Sequence, residues 1–418
     1  MNAPPTPQET QALTTAEEAA SLPLPGRSAA LSALGAAALA ACGGGSDDSP
    51  STPGTPGNPG SPGDPGDGPG DNPGTPATPL THEESARFLA QATLGASRAD
   101  IEALTSKGLA TWLNEQFAMP VSMRMVDWLY AKGLDAEEFR FSQRGLDNAL
   151  WRTLITSPDA LRQRVALALS EICVASVLGV DSSYRQFALA YYYDILQTHA
   201  FGNYRQLLED ISLSPAMGYY LTYRGNSKAN PKTGSQPDEN YARELMQLFT
   251  IGLVQLRADG TPVVNNGQFV ETYRSDDVMG LARVFTGWDL DTAGLSKPYP
   301  AAQMCRPMAQ VASRYETGAK QFLGTTIPEG TDALAALRRA LDVLFVHPNV
   351  PPFISRQLIQ RLVTSNPSGG YVARVAAVFA NNGQGARGDL RAVVRAILLD
   401  PEARDRGQLQ NPNWGKLR

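Results

Sequence analysis

From residue 83 onward, apolar positions recur every three or four residues, the spacing of helices that bury one face. "SRADIEALTSKG" opens with Ser97 as N-cap and Asp100 at the third helical position, and closes at Gly108. "SPDALRQRVALALSEICVAS" sets Leu161, Val165, Leu169 and Ile172 on one face, with Pro158 suited to the first turn. The same period predicts helices at 110–118, 137–156, 183–199, 203–212, 276–287, 334–346, 351–364, 370–381 and 389–399. Only 254–273, "VQLRADGTPVVNNGQFVETY", reads as strands, with turns at Asp259-Gly260 and Asn266-Gly267. The predicted fold class is all-α, a large multi-helix domain with one short β-hairpin-like insert near 254–273. No repeat of 20 to 50 residues supports a solenoid.

The most polar helix start is "PDENYARELMQLFTIGL", Pro237 to Leu253. On a helix, Glu239 and Arg243 are i, i+4 in the favourable order, and Asn240 and Glu244 are spaced for a side-chain hydrogen bond. Glu239 beside the N-terminus also suits the dipole. The two glutamates fall roughly 140° apart, so they make no paired-carboxylate site by themselves. Tyr241, Ala242, Leu245, Met246, Leu248 and Phe249 fill the apolar arc. Elsewhere Arg205 and Glu209 are i, i+4, and "HPNVPPFISRQLIQRLVTSNPS" carries Arg356, Gln360 and Arg361. Read singly, each is a surface pair worth about 0.3–0.5 kcal/mol.

Composition sets the first 80 residues apart. Of the net charge of -5, residues 1–42 carry -2 and residues 43–80 carry -5 from Asp alone, leaving +2 for 81–418. The folded part has no basic field that would argue for nucleic acid. Arg27 precedes the charge-free "AALSALGAAALAA", too short to span a bilayer, and Leu39-Ala40-Ala41-Cys42 follows. This resembles the lipobox of bacterial lipoproteins, so residues 1–42 are read as a signal segment with Cys42 as the lipid-attachment site. Gly43 after the cysteine implies outer-membrane delivery. Residues 43–80 are rich in Gly, Pro, Ser and Asp and are expected to form a disordered linker. Its random-coil span is on the order of 35 Å. Residues 81–418 form the helical domain.

Searches for catalytic chemistry return little. His82, His199 and His347 are far apart, none in a metal-ligand pair, and each reads as a capping or core histidine. No metal or cofactor is expected. Cys173 sits at apolar helical spacing, which argues for a buried free thiol rather than a disulfide with Cys305. Gly383-Gln384-Gly385-Ala386-Arg387-Gly388 has the letters of a dinucleotide loop, but the segment before it is helical rather than a strand. The better reading is a helix-to-helix turn in which Asn382-Gly383 ends one helix and Asp389 caps the next.

"RFLAQATLGAS", "LRQRVALALSEICVAS", "AFGNYRQLLEDISLSPAMGYYL", "ENYARELMQLFTIGL", "LARVFTGW", "KQFLG" and "LFVHPNVPPFISRQLIQRLVTSNPS" occur in this order. They resemble the bacterial domain-of-unknown-function 1800 family over about residues 84–418. The resemblance implies an exported protein whose partner is a co-exported protein of the domain-of-unknown-function 1501 family, and it implies no particular activity. Tyr315 stands about where members carry a histidine before K-x-F-L-G, and the chain stops at "NWGKLR" where members continue, so a C-terminal truncation is expected. Because the family retains the ENYARE string, Asn240, Arg243 and Glu244 are expected to form a polar network against another helix, lining a cleft. Two functions follow as expectations. One is a lipid-anchored envelope protein acting as a binding or assembly partner. The other is an envelope hydrolase drawing its acid and base from Glu171, Glu209, Glu239 and Glu244.

Overall fold

The computed structural model describes residues 80–415. The signal segment, Cys42 and the linker up to Pro79 lie outside the described residues. Sixteen α-helices and three two-stranded antiparallel sheets make up the described part, an all-α class as the periodicity predicts.

Helix boundaries follow local chemistry. Ser97 Oγ accepts from Asp100 N at 3.2 Å while Asp100 Oδ2 accepts from Ser97 N at 2.8 Å, the reciprocal box that starts Arg98–Lys107. The helix stops at Gly108, whose φ of 79° disfavours side chains. The 137–156 span, however, is not one helix. A 3-10 turn, Glu137–Phe139, is separated from Leu146–Thr156 by Gly145 at φ 87°, where the side chains of Leu129 and Leu134 crowd the space a Cβ would need. Pro158 also falls outside its helix, which runs Ala160–Ser170. Asp159 is the last non-helical residue, held by the amide of Ser122 at 3.3 Å. The 276–287 segment shortens to Ser275–Ala282 followed by a 3-10 turn.

Arg185–His199 is the central helix. Only three of its 15 residues, Arg185, Tyr191 and Thr198, are not buried, and it packs on Met125–Ala131, Leu146–Thr156, Ala160–Ser170, Tyr204–Ser212 and Pro215–Tyr220. A second group, Val350–Leu362, Gly369–Ala380 and Leu390–Leu399, joins the first where Val350–Leu362 meets Ala160–Ser170. That last helix departs from the one-faced expectation, because it buries Arg162, Gln163 and Arg164 as well as its apolar residues. A helix enclosed on all sides must find partners for its polar groups. Arg162 donates to the carbonyls of Met119 (2.7 Å) and Gln197 (3.2 Å), and Arg164 to those of Arg361 (2.6 Å) and Gln91 (3.4 Å). Gln163 donates to Gln197 Oε1 at 3.0 Å, and Gln197 to Asp194 at 3.2 Å. Asp194 caps Met125–Ala131 through the amides of Met125 (2.7 Å) and Val126 (3.1 Å), and burial raises it to about 6 despite them. Cys173, buried, and Cys305, half-buried, are both free thiols.

The hairpin-like insert is present as Val264–Asn265 paired with Gln268–Phe269. Asn266 and Gly267 take φ of 49° and 78°, the left-handed pair that a two-residue hairpin turn requires. It is not the only β structure. Trp288–Asp289 pairs with Ala309–Gln310, and Lys320–Phe322 with Thr325–Ile327. The second of these turns on Leu323-Gly324 at φ 47° and 68°, with Leu323 N held by Asp277 Oδ1 at 2.6 Å, so a tertiary bond supports a conformation leucine rarely adopts. Near the last described residues, Arg87 donates to the carbonyl of Asp405 at 2.8 Å, Trp414 Nε1 donates to Glu402 at 3.2 Å, and Arg87 lies 5.4 Å from the Trp414 ring.

Ser275–Ala282 packs against the Lys320–Phe322 strand through Gly280, where a Cβ would stand 1.7 Å from the carbonyl oxygen of Gln321. Backbone cannot yield as a flexible side chain does. Gly280→Ala is expected to destabilise the domain by about 3 kcal/mol, read as a fall in the urea midpoint with an unchanged slope.

Candidate functional site

The ENYARE segment forms the helix Asn240–Gln247, and the turn before it gathers polar groups. Asp238 Oδ1 accepts from Asn240 N at 2.8 Å and so caps the helix in place of Glu239. Asp238 Oδ2 accepts from Thr222 Oγ1 at 2.9 Å, and Asn226 Oδ1 accepts from Asp238 N at 2.9 Å. Thr222 itself sits at φ 63°, a strained conformation for a β-branched residue and one that the surrounding bonds must sustain. Beneath the turn, Tyr241 stacks on Tyr223 with ring centres 4.2 Å apart and shares a 2.5 Å hydrogen bond with Ser212.

Tyr241, Ala242, Leu245, Met246 and Phe249 are buried, as the helical arc requires. Glu239 and Arg243 form the expected pair at 2.8 Å, half-exposed. The expected network of Asn240, Arg243 and Glu244 is not what forms. The Asn240 amide donates to Thr222 Oγ1 at 3.4 Å, and Glu244 turns inward to 8 % exposure, where burial raises its pKa against the opposing Arg243 charge. Charged Glu244 in turn helps raise the Tyr220 and Tyr273 hydroxyls, both already raised by burial. Tyr273 donates to Gln247 Oε1 at 3.3 Å and lines an open groove of about 790 Å³ with residues 268–272, Arg274, Asp276, Asp277, Leu323 and Gly324. Asn240, Arg243 and Glu244 do not themselves line that groove.

The other predicted residues are distributed over separate contacts. Arg205 and Glu209 pair at 3.0 Å, but the pair is mostly buried and extended: Arg205 reaches Asp342 (2.7 Å), and Arg338 reaches Glu209 (2.8 Å). Together they clamp Tyr204–Ser212 to Ala333–Val346. Arg356 donates to the carbonyl of Gly260 at 3.4 Å, tying Val350–Leu362 to the insert. Arg361 pairs with Glu171 at 3.4 Å and donates to its carbonyl at 2.9 Å. Of the four carboxylates considered for catalysis, Glu171, Glu209 and Glu239 are each held by arginine.

In the glycine-rich segment, Asn381 Oδ1 accepts from the amides of Gly383 and Gly385, both at 3.0 Å. Asn382 Oδ1 accepts from those of Gln384 (2.9 Å) and Ala386 (3.1 Å). The amides that a phosphate would need are already used. Asp389 caps Leu390–Leu399, and the preceding helix ends at Ala380, slightly before Asn382-Gly383. His199 pairs with Asp210 at 2.6 Å, His347 Nδ1 accepts from Asn349 N at 3.2 Å, and His82 is the first residue of its helix. Tyr315 is buried, its hydroxyl donating to the Thr331 carbonyl at 3.0 Å and its ring 4.7 Å from Lys320 Nζ. Among the described residues no group of three His, Cys, Asp or Glu is arranged to hold a metal ion.

Two measurements separate the roles of these carboxylates. Glu209→Gln is expected to cost about 1–3 kcal/mol, because it leaves a largely buried arginine short of its partner. Arg243→Ala at the half-exposed pair should cost no more than about 1 kcal/mol. Glu244 has its folded pKa raised above the ordinary 4.5. Its contribution is therefore full below pH 4.5 and lost as pH rises through the folded pKa. Urea midpoints between pH 4 and 8 should show Glu244→Gln gaining on the wild type as pH rises; a constant difference would exclude this origin.

The family model described as Protein of unknown function (DUF1800) matches residues 87–414. No match was found among curated proteins, and none among solved structures. The matched region takes in the Asn240–Gln247 helix, the Arg205–Glu209 clamp and the buried Arg162–Arg164 run, which together make up the polar framework of the domain. The chain belongs to the DUF1800 family.

Proposed function

We propose that the protein is an exported, lipid-anchored cell-envelope protein, attached to the outer membrane through Cys42, whose helical domain acts as a binding or assembly partner. The observation that carries the binding part of this reading is a pair of large apolar side chains exposed among polar ones on Leu146–Thr156. Trp151 and Ile155 lie one turn apart with exposures of 61 % and 74 %, while Ala149, Thr153 and Leu154 on the other face are buried. Side chains of this size left in water favour a protein partner. A co-exported protein of the domain-of-unknown-function 1501 family is the partner that the family resemblance suggests. The ion-paired state of Glu171, Glu209 and Glu239 also favours binding over acid/base chemistry.

A second reading is an envelope hydrolase in which Glu244 acts as the acid. It is favoured by the inward position of that carboxyl and its raised pKa.

The test is mild crosslinking of intact cells followed by capture of the protein. The wild type should be recovered joined to an envelope protein. Trp151→Ala with Ile155→Ala should lose that product while changing stability by no more than about 0.5 kcal/mol per site. Cys42→Ser should move the protein out of the membrane fraction. Recovery of the wild type as an isolated monomer would overturn the binding reading.

A further inference from the structure

The string Asn-Asn-Gly-Gln occurs at 265–268 and again at 381–384, and these hold the only two Asn-Gly pairs in the chain. An asparagine before glycine is exposed to attack on its carboxamide by the next backbone amide, because glycine has no Cβ to obstruct the approach. The fold gives the two identical strings opposite surroundings. At Asn382 the carboxamide is held at both ends: Nδ2 donates to Asp389 Oδ2 at 2.7 Å, and Oδ1 accepts from the amides of Gln384 (2.9 Å) and Ala386 (3.1 Å). The amide that would attack it, Gly383 N, donates to Asn381 Oδ1 at 3.0 Å. Ring closure there must break these bonds first.

At Asn266 no such restraint exists among the described residues. Residues 264–269 are all exposed, the Asn266 carboxamide enters no hydrogen bond, and the Gly267 amide donates to no acceptor. A Cβ at Gly267 would meet no atom within 4 Å, so the approach is open. The backbone must still rotate out of the left-handed turn, where Asn266 has φ of 49°. The hairpin has only two residue pairs, Val264 with Phe269 and Asn265 with Gln268, and so short a ladder opens at little cost.

We propose that Asn266 is a site of spontaneous covalent modification, converting to aspartate and isoaspartate while Asn382 remains an amide. Gly267 N gives its proton to water and bonds to Asn266 Cγ; the Cγ–Nδ2 bond breaks, ammonia leaves, and a succinimide ring closes. Water then adds to one ring carbonyl and cleaves its bond to nitrogen. Cleavage at Cγ leaves aspartate, and cleavage at the main-chain carbonyl leaves isoaspartate. Either product adds one negative charge. Isoaspartate also lengthens the main chain by one carbon, which a two-residue turn cannot absorb while keeping Val264 opposite Phe269. Phe269 lines the open groove, so the modified chain presents a changed rim. The site is separate from the proposed docking face and does not depend on that reading.

The test is incubation of the purified chain at mildly alkaline pH, sampled over time by peptide mass spectrometry. Conversion of amide to acid should run about tenfold faster or more at Asn266 than at Asn382, a factor that needs only ~1.4 kcal/mol of extra cost to free the Asn382 carboxamide. In urea, where both strings are unfolded, the two sites should convert at similar rates. Asn266→Gln, at an exposed turn, should remove the acidic species that accumulates on ion exchange. The proposal is overturned if the folded chain converts Asn382 as fast as Asn266, if it converts neither while the unfolded chain converts both, if the preference for Asn266 persists unchanged in urea, or if Asn266→Gln accumulates the acidic species like the wild type.

Discussion

The structure depends on how Ala160–Ser170 is allowed to bury two guanidinium groups. The carbonyls that receive them are all at helix C-termini. Gln91 is next to last in His82–Ala92, Met119 caps Leu109–Ala118, Gln197 lies two before the end of Arg185–His199, and Arg361 is next to last in Val350–Leu362. Such ends leave carbonyls without intrahelical partners and carry the negative pole of the helix. Arg162 and Arg164 thus offset part of the cost of desolvation at these four helix ends, and Arg162 adds an ion pair with Asp159 at 3.2 Å. The arrangement is reciprocal, because Arg361 donates back to the carbonyl of Glu171, the C-cap of Ala160–Ser170. Removing Arg164 would leave two helix-end carbonyls short of a donor, and removing Arg162 would cost Asp159 its ion pair at 3.2 Å as well as the donor to Met119.

This framework explains the division between what the sequence discloses and what it conceals. Apolar periodicity and caps such as Ser97/Asp100 are local, and they locate twelve of the sixteen described α-helices, missing His82–Ala92 and the short Met125–Ala131, Pro215–Tyr220 and Pro401–Arg404. The burial of Arg162 and Arg164 is not read locally, since polar residues between apolar ones read as an exposed stripe; Arg162 has Asp159 three residues before it, but the carbonyls that receive the two guanidiniums lie 35 to 197 residues away. The two extra sheets escape notice for a related reason. Strands of two or three residues show no alternation, and the Leu323-Gly324 turn rests on Asp277, 46 residues earlier.

The polar helix start shows the same limit at finer scale. Spacing was enough to pair Glu239 with Arg243, an interaction within one helix. It was not enough to place Glu244 inward, where its charge acts on Tyr220 and Tyr273 from other elements. Nor does any local pattern disclose the left-handed Thr222, whose hydroxyl is secured by Asp238 across 16 residues. Polar residues of the family's blocks divide between fastening helices together, as Arg205, Glu209 and Arg361 do, and shaping the turn before Asn240–Gln247. The second group is where strain and desolvation coincide.

The contact between Arg87 and Asp405 spans 318 residues. Closing so long a loop is entropically expensive, and none of that cost is recovered until both ends are present. A ribosome delivers His82–Ala92 at the start of the domain and residues 404–414 near its end. His82–Ala92 therefore receives this last fastening only when the domain is nearly complete. Its apolar side is met early, by Arg98–Lys107 and by the Trp112 ring on Phe88, while the guanidinium of Arg87 waits for residues more than three hundred positions later.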